Sequence, residues 1–170
     1  IKIMSTILVT GSAGFIGSNL TELLLNNGHT VIGIDNFNDY YDPQLKHHNN
    51  TLLTSHKNYH FYNGDIRNKE TLSQLFNSHS IDIMIHLAAM AGVRYSIENP
   101  VLYFDVNING TVTLLEACRN HHVRKILFAS SSSVYGNNTT VPFTESDTVD
   151  CPISPYAASK KAGEVICYNY

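Results

Sequence analysis

Short apolar runs rich in β-branched residues alternate along the chain with longer stretches in which apolar residues recur at helical spacing. This order predicts βαβ units, in which a parallel sheet is covered by helices on both faces. The short runs are almost continuously apolar, as expected of strands that are buried on both faces of a sheet. The predicted strands cover residues 6–10, 30–34, 60–62, 81–86 and 125–129.

The longer stretches predict helices over residues 15–27, 71–77 and 106–120, and from about Pro155 to the end of the chain. The first helix is expected to stop at Gly28, a natural residue after a helix end. The segments 35–50 and 136–140 are the only long connections predicted. Residues 166–170 are mostly apolar and have neither a cap nor a following strand, which predicts that the chain is cut from a longer protein. In the first helix, the apolar residues taken to lie at helical spacing are Phe15, Ile16, Leu20, Leu23 and Leu24.

Composition narrows the function classes. The chain has 170 residues, of which 43% are hydrophobic, so one domain with a sizeable core is expected. A net charge of −3 offers no basic stripe for nucleic acid. No apolar run approaches the roughly 20 residues that span a bilayer, and no secretory signal is visible, so we expect a cytoplasmic protein without membrane contact. The three separated cysteines suit a reducing compartment, and the paired histidines lack metal-ligand spacing, so no metal is expected.

A glycine-rich turn follows the first predicted strand and leads directly into the first helix. Gly11, Gly14 and Gly17 are spaced G-x-x-G-x-x-G, which permits a tight turn, a close approach of backbone N–H groups to a pyrophosphate, and close packing of the helix on the strand. Asp35 ends the second strand, where a carboxylate can accept both hydroxyls of a ribose. The alternative is a purely structural glycine turn. The sequence therefore predicts an α/β protein, a Rossmann-like doubly wound parallel sheet that binds a dinucleotide.

Two carboxylates bear on the choice of dinucleotide. Asp35 would repel a 2′-phosphate and no Arg occurs in residues 36–39, which favours NAD over NADP. Asp65 follows the third strand. It can accept a hydrogen bond from the adenine amino group or cap the helix that follows, and the sequence leaves these two interpretations open.

The last predicted helix begins with a pair of residues suited to proton transfer. Tyr156 and Lys160 are one turn apart and share a face. A phenol is a poor base at neutral pH, but a neighbouring ammonium and a cationic nicotinamide both favour the phenolate. The fifth strand leads into four serines at the sheet edge where such folds bind ligands, and we expect the Ser131 hydroxyl to bridge the Tyr156 phenol and an oxygen of the substrate. The remaining serines are expected to bond their own backbone.

These motifs together resemble the extended branch of the short-chain dehydrogenases/reductases, specifically the nucleotide-sugar epimerases and dehydratases. The resemblance implies that Tyr156 is the catalytic base, that Lys160 orients the nicotinamide ribose, and that Ser131 holds the sugar hydroxyl. The matching segments are GSAGFIGS (11–18), DN (35–36), GDIR (64–67), HLAAMAGVRYSIENP (86–100), DVNINGT (105–111), SSSSVYG (130–136) and YAASK (156–160). The cofactor contacts expected are Gly11, Gly14, Phe15, Ile16, Gly17, Asp35, Asn36, Asp65, Ile66, Leu87, Ala88, Ala89, Asn107, Tyr156 and Lys160.

Within that branch, the residues beside the catalytic serine separate the chemistries. Dehydrating and decarboxylating relatives carry carboxylates there, whereas this chain has Ser132 and Ser133, which leaves oxidation and reduction at one carbon, that is, epimerisation. The loop 91–96 resembles that of UDP-glucuronate 4-epimerases. Arg94 in this loop can approach a charged substrate together with Ser131 and Ser132, or can be an ordinary surface residue.

The resemblance implies a substrate, a reaction and a partner. The expected reaction converts UDP-glucuronate to UDP-galacturonate through a 4-keto sugar. UDP-glucose or UDP-N-acetylglucosamine is the alternative substrate, and a non-catalytic NAD-binding module is the alternative function. Residues 1–170 would form the N-terminal NAD-binding domain of a longer epimerase and lack its substrate domain. Homodimerisation is expected through helix 106–120 and the helix starting near Pro155.

Overall fold

The computed structural model describes residues 4–170, which divide into two units. One, here called the sheet unit, contains the described residues up to Ala88 together with Thr113–Ala129. The other, here called the serine unit, contains Ala89–Val112 and Ser130–Tyr170. All five strands lie in the sheet unit and the serine-rich segment lies in the serine unit.

The sheet is parallel throughout, with strand order β3-β2-β1-β4-β5. The chain starts at the centre, moves to one edge, and returns to the other side of β1, so the carboxyl ends of β1 and β4 flank the point where the order reverses. This arrangement confirms the predicted α/β class. The strands are β1 (Thr6–Thr10), β2 (Thr30–Asp35), β3 (Tyr59–Asn63), β4 (Ile83–His86) and β5 (Lys125–Phe128).

The central strands carry the core because both of their faces are covered. Leu8, Val9, Ile32 and Met84 have no solvent exposure. Burying such side chains stabilises the fold by about 1.5–3 kcal/mol each. The helices of this unit are α1 (Phe15–Asn26), α2 (Pro43–Leu53), α3 (Lys69–Ser78) and the larger part of α6 (Gly110–Asn120).

Helix α1 buries a different face from the one its apolar residues suggest. Phe15 and Ile16 are exposed, at 78% and 67% of their maximal surface, whereas Gly17, Thr21 and Leu25 are buried. The reason is steric, because a Cβ on Gly17 would overlap the carbonyl oxygen of Gly11. Only the glycine face of the helix can approach the turn that closely, and its position fixes the rotation of the helix.

Helix α2 lies where the sequence predicts a loop over 35–50. Asp42 caps it by accepting a hydrogen bond from the Gln44 N–H (2.9 Å), and Pro43 occupies its first turn. The helix buries only Lys46 and Leu53 fully. Because so few of its residues are buried, the sequence of this helix shows no apolar period. The prediction of a loop over 35–50 was wrong because it relied on such a period.

The serine unit is mainly helical. Its helices are α4 (Val93–Glu98), α5 (Pro100–Phe104), the π-helical turn Asp105–Asn109, the start of α6, the 3₁₀ turn Ser132–Tyr135 and α7 (Pro155–Asn169). The prediction missed α4 and α5, which are short and separated by Pro100. Among the described residues, no helix has the length and apolar character to cross a bilayer.

Candidate functional site

The glycine turn brings the end of β1 against the end of β4. Gly11 has φ +71°, in the left-handed region that favours glycine, and its N–H donates to the Ile34 carbonyl (2.8 Å). A Cβ on Gly11 would lie 2.9 Å from the Ala88 nitrogen. Two backbones therefore meet at a distance that only glycine allows, beside a residue that the sequence predicts to line the cofactor cleft.

The N-terminus of α1 differs from the N-termini of three other long helices of the chain. Side chains cap α2, α3 and α7, through Asp42, Asn68 and Ser154. The residue before α1 is Gly14, and no side chain caps this end. The first N–H groups of a helix have no partner within the helix, and they attract anions. The end of α1 therefore fits a pyrophosphate.

Asp35 is buried at the end of β2, with 8% of its surface exposed. Its Oδ2 accepts from the Ala13 N–H (3.1 Å) and its Oδ1 from the Phe37 N–H (2.9 Å). A carboxylate has about four acceptor sites, so two remain for ligand hydroxyls. The turn, the uncapped helix and this carboxylate together fit a dinucleotide.

Asp65 does not cap α3. The cap is Asn68, whose Oδ1 accepts from the Thr71 N–H (3.0 Å), so the capping interpretation of Asp65 was wrong. Instead, the Asp65 carboxylate binds the Arg67 guanidinium at 2.7–2.9 Å and accepts from Asn36 Nδ2 (3.0 Å). The Arg67 hydrogen bonds hold the pKa of Asp65 below its ordinary value. Ile66 beside it is buried.

Leu87 and Ala88 are fixed by a side chain of β1. Thr10 Oγ1 accepts from the N–H groups of Leu87 (3.1 Å) and Ala88 (3.0 Å), and lies 2.7 Å from His86 Nδ1. A hydroxyl oxygen has two acceptor lone pairs. Both are used, so the hydroxyl proton is donated to Nδ1 and His86 carries its ring proton on Nε2.

In the serine unit, α7 begins with Ser154 as its cap and places Tyr156 and Lys160 one turn apart. The Tyr156 ring packs edge-on against the fully buried Tyr103, with 6.1 Å between ring centroids. Lys160 is only 5% exposed. Burial disfavours its charged form and lowers the pKa of Lys160 from 10.5 to about 8. The pair is therefore held in place, at an electrostatic cost.

Asn107 joins α7 to the segment after β4. Its Nδ2 donates to the Met90 carbonyl (3.0 Å) and to Ser159 Oγ (2.9 Å), while its Oδ1 accepts from the Met90 N–H (2.8 Å). Ser159 in turn donates to the Tyr156 carbonyl (2.7 Å). Asn107 sits in a π-helical turn, an irregularity that is common at functional sites. It links the backbone next to Ala89 with the backbone of the tyrosine.

The serine-rich segment is tied to α7 at its first residue. Ser130 Oγ donates to Glu164 Oε1, and Glu164 lies two turns beyond Tyr156 on the same face. Ser131 Oγ accepts from the Ser133 N–H (3.1 Å) and lies 3.1 Å from Ser133 Oγ, while Ser132 is exposed. Arg94 lies exposed on α4.

Several residues around the glycine turn escaped sequence reasoning. Lys46 of α2 is buried and donates to Asn38 O (2.9 Å) and Oδ1 (2.7 Å), and its ammonium lies over the Tyr41 ring. Burial lowers the pKa of Lys46, while the charge of Asp35 acts to raise it. Asn49 of α2 donates to the Ala13 carbonyl in the turn (3.0 Å), and Asn50 accepts from the Tyr59 hydroxyl (3.0 Å). No local motif marks these residues, because their partners are distant in sequence. Within residues 4–170, no group of three or more His, Cys, Asp or Glu side chains is arranged to hold a metal ion.

The known proteins that resemble this chain include enzymes that act on nucleotide sugars. A family model described as GDP-mannose 4,6 dehydratase matches residues 8–170. The chain is 51% identical over 166 residues to UDP-glucuronate 4-epimerase 4 of Arabidopsis thaliana. This match covers 97% of this chain and 38% of the relative. It is also 48% identical over 167 residues to UDP-glucuronate 4-epimerase of Thermodesulfobacterium geofontis, and this match covers 98% of this chain and 51% of the relative. The chain thus spans about half the length, or less, of these relatives.

The solved structures that resemble this chain include UDP-sugar 4-epimerases as well. UDP-glucuronic acid 4-epimerase of Bacillus cereus, a mutant in complex with UDP-4-deoxy-4-fluoro-glucuronic acid and NAD, matches with a TM-score of 0.87 at 39% identity, covering 97% of this chain and 52% of that one. UDP-glucose 4-epimerase of Bifidobacterium longum, in complex with NAD⁺ and UDP, matches with a TM-score of 0.87 at 34% identity. This match covers 97% of this chain and 48% of that one.

Proposed function

The chain belongs to the GDP-mannose 4,6 dehydratase family, in agreement with the resemblance to extended short-chain dehydrogenases/reductases, and we propose that it is part of a UDP-glucuronate 4-epimerase. The reaction converts UDP-glucuronate to UDP-galacturonate. The observation that carries the proposal is the α7 pair, a tyrosine with a buried lysine one turn later. The names of the relatives with 48–51% identity support the substrate.

The cofactor in this proposal is NAD. Gly11, Gly14 and Gly17 bring backbone to its pyrophosphate, Asp35 accepts its ribose hydroxyls, and Asp65 lies by its adenine. NAD supplies a hydride acceptor and donor, so the same sugar carbon can be oxidised and then reduced. Two free acceptor sites on the Asp35 carboxylate support this assignment, because a 2′-phosphate would meet a negative charge there. The further cofactor contacts we propose are Phe15, Ile16, Asn36, Ile66, Leu87, Ala88, Ala89 and Asn107.

The chain's own residues handle the proton. Tyr156 Oη removes the proton from the 4-hydroxyl of the sugar and later returns it. The Lys160 ammonium favours the phenolate and orients the nicotinamide ribose. Ser131 holds the sugar hydroxyl, with Ser132 and Arg94 as further substrate contacts. The edge-on packing of Tyr156 on Tyr103 supports this assignment, because a catalytic base must be held within hydrogen-bond reach of its proton.

The serine segment favours epimerisation over the dehydration for which the family model is described. Dehydration requires an additional acid and base at neighbouring carbons, and Ser132 and Ser133 offer no carboxylate. Ser133 is also engaged with Ser131. Inversion at C4 needs only that the proton of the 4-hydroxyl and the hydride of C4 are removed, that the 4-keto sugar rotates, and that the hydride returns to its opposite face while the oxygen regains a proton.

The proposal extends to partners and compartment. We propose a homodimer formed through α6 and α7, which sedimentation velocity tests directly. We place the protein in the cytoplasm. UDP-glucose is the second substrate candidate, favoured by the similarity to UDP-glucose 4-epimerase of B. longum.

A panel of UDP-sugars tests the function. UDP-glucuronate, UDP-glucose and UDP-N-acetylglucosamine are incubated with NAD and either the 170-residue chain or a full-length version, and the products are separated by chromatography. We expect UDP-galacturonate from the first substrate, and at least about a 100-fold loss of rate in Tyr156→Phe with unchanged secondary structure. A non-catalytic NAD-binding module would give no product with either version and would bind NAD equally in Tyr156→Phe.

A further inference from the structure

We propose that Asn49 and Asn50 of α2 are positioning residues that set the affinity of the glycine turn for the pyrophosphate of a dinucleotide. The inference rests on the proposed function only in assuming that this turn binds NAD. The turn is held on its inner side by side chains from α2 and β3, and these contacts fix its backbone before any ligand arrives.

Asn49 controls one side of Ala13. Its Nδ2 donates to the Ala13 carbonyl (3.0 Å), while the Ala13 N–H donates to Asp35 Oδ2 (3.1 Å). Ala13 itself has no solvent exposure. The peptide planes before and after Ala13 are therefore each fixed by a side chain from a different element, and neither plane can rotate without breaking a buried hydrogen bond.

Asn50 controls Ser12 through Tyr59. The Tyr59 hydroxyl donates to Asn50 Oδ1 (3.0 Å) and lies 3.1 Å from Ser12 Oγ. A phenol has one proton, so Ser12 is the donor in the second bond, and the chain of bonds runs from Ser12 to Tyr59 to Asn50. Burial raises the pKa of Tyr59 to about 12, which keeps this hydroxyl protonated.

Gly33 in β2 provides the space for this chain of bonds. A Cβ at this position would lie 2.5 Å from Ser12 Oγ and would overlap the Tyr59 hydroxyl. The glycine therefore allows two side chains from the turn and from β3 to meet across β2. Gly33 lies outside the G-x-x-G-x-x-G pattern, and the predicted dinucleotide contacts do not explain it.

The geometry gives α2 a role in binding rather than in packing alone. A turn that is already ordered loses less conformational entropy when its N–H groups bind phosphate, so affinity increases without any new ligand contact. Adenosine makes no pyrophosphate contact. The contribution of α2 should therefore appear with NAD and be absent with adenosine.

The test compares three variants of the 170-residue chain. Asn49→Ala removes the donor to Ala13, Tyr59→Phe removes one oxygen and leaves the ring in place, and His48→Ala is a control at an exposed position of the same helix. Dissociation constants for NAD are measured by calorimetry and those for adenosine by NMR titration, and thermal unfolding is followed in parallel.

We expect Asn49→Ala and Tyr59→Phe to weaken NAD binding by about three- to tenfold, the effect of one lost hydrogen bond, and adenosine binding by less than about twofold. His48→Ala should leave both constants unchanged. Equal losses for NAD and adenosine, or lower unfolding temperatures with unchanged NAD binding in the two variants, would overturn the inference and leave the proposed function intact. Failure of the unaltered chain to bind NAD would overturn both. Tyr59→Phe decides the matter if Asn49→Ala does not fold.

Discussion

In the sheet unit the candidate ligand groups are mainly backbone atoms that glycines expose, whereas in the serine unit they are side chains on one face of α7. Gly11 and Gly17 tolerate no added Cβ, because both already lie against backbone. The α7 pair instead contains a buried ammonium that the fold holds at an electrostatic cost. One site therefore depends on steric exclusion, and the other on the burial of charge.

This difference predicts opposite responses to mutation. A Cβ added at Gly17 should destabilise the sheet unit, whereas removal of the buried Lys160 charge should stabilise the serine unit and abolish the proposed proton transfer. In the glycine turn, a substitution that lowers stability should also weaken ligand binding. In α7, the substitution that raises stability should abolish the proposed proton transfer. Each variant below tests one side of this contrast.

The largest effect is expected for Gly17→Ala. The new Cβ would overlap the Gly11 carbonyl oxygen and lie 2.8 Å from its carbon, so helix and turn must separate. We expect the free energy of unfolding to fall by about 3 kcal/mol or more, measured by urea denaturation. Gly14→Ala is the matched control, because its Cβ would lie 3.3 Å from the same oxygen and its φ of −69° suits alanine. A loss for Gly17→Ala no larger than that for Gly14→Ala would contradict the steric account.

Lys160→Met should act in the opposite direction. Burial lowers the pKa of Lys160 from 10.5 to about 8, so below pH 8 the folded state holds a charge that the unfolded state solvates better. Removing it should raise the free energy of unfolding at pH 7 by about 3 kcal/mol. Between pH 8 and 10.5 the unfolded wild-type protein binds more protons, so wild-type stability rises and the advantage of the variant disappears.

The control for Lys160→Met is its neighbour. Lys161 pairs with Glu164 at 3.4 Å and its side chain is 26% exposed. Lys161→Met should therefore change the free energy of unfolding little at pH 7. If both variants destabilise the protein equally at pH 7, the buried ammonium is not a cost and the contrast between the two units fails.

Some parts of the fold and of the candidate site could be predicted from the sequence, and others could not. The strands and the glycine turn were predictable because continuous apolar runs and glycine spacing are local signals. The glycine turn, Asp35 and the α7 pair lie at element ends, as expected. Helix α2 was not predictable, because its two buried residues are a lysine, Lys46, and a leucine seven positions later, Leu53, which form no apolar period.

Residues that hold the site were invisible for a different reason. Asn49 contacts Ala13 across 36 positions and Ser130 contacts Glu164 across 34. Such pairs depend on tertiary structure, which one sequence does not encode in any short pattern. Asp65 shows the same limit, since both of its interpretations satisfied the local sequence and only the position of Asn68 excluded the cap.

The smallest effect is expected for Arg67→Met, which asks whether a side-chain pair in the sheet unit matters as much as a glycine. Hydrogen bonds from Arg67 lower the pKa of Asp65, so the pair stabilises the fold above about pH 4 and loses that contribution as pH falls. The side chains are 35% and 24% exposed, and solvent screening limits the loss at pH 7 to about 1 kcal/mol or less.

Urea unfolding at pH 7 and pH 2.5 measures this contribution. The difference between wild type and Arg67→Met should shrink on acidification, because the pair contributes less to stability as the pH falls toward the lowered pKa of Asp65. Arg119→Met is the control: Arg119 pairs with Glu116 at the same 2.7 Å, but with side chains 64% and 41% exposed, so its effect should be near zero at both pH values. A loss for Arg67→Met as large as that for Gly17→Ala would mean that side-chain pairing stabilises the sheet unit as much as its backbone contacts do, and the contrast with the serine unit would no longer hold.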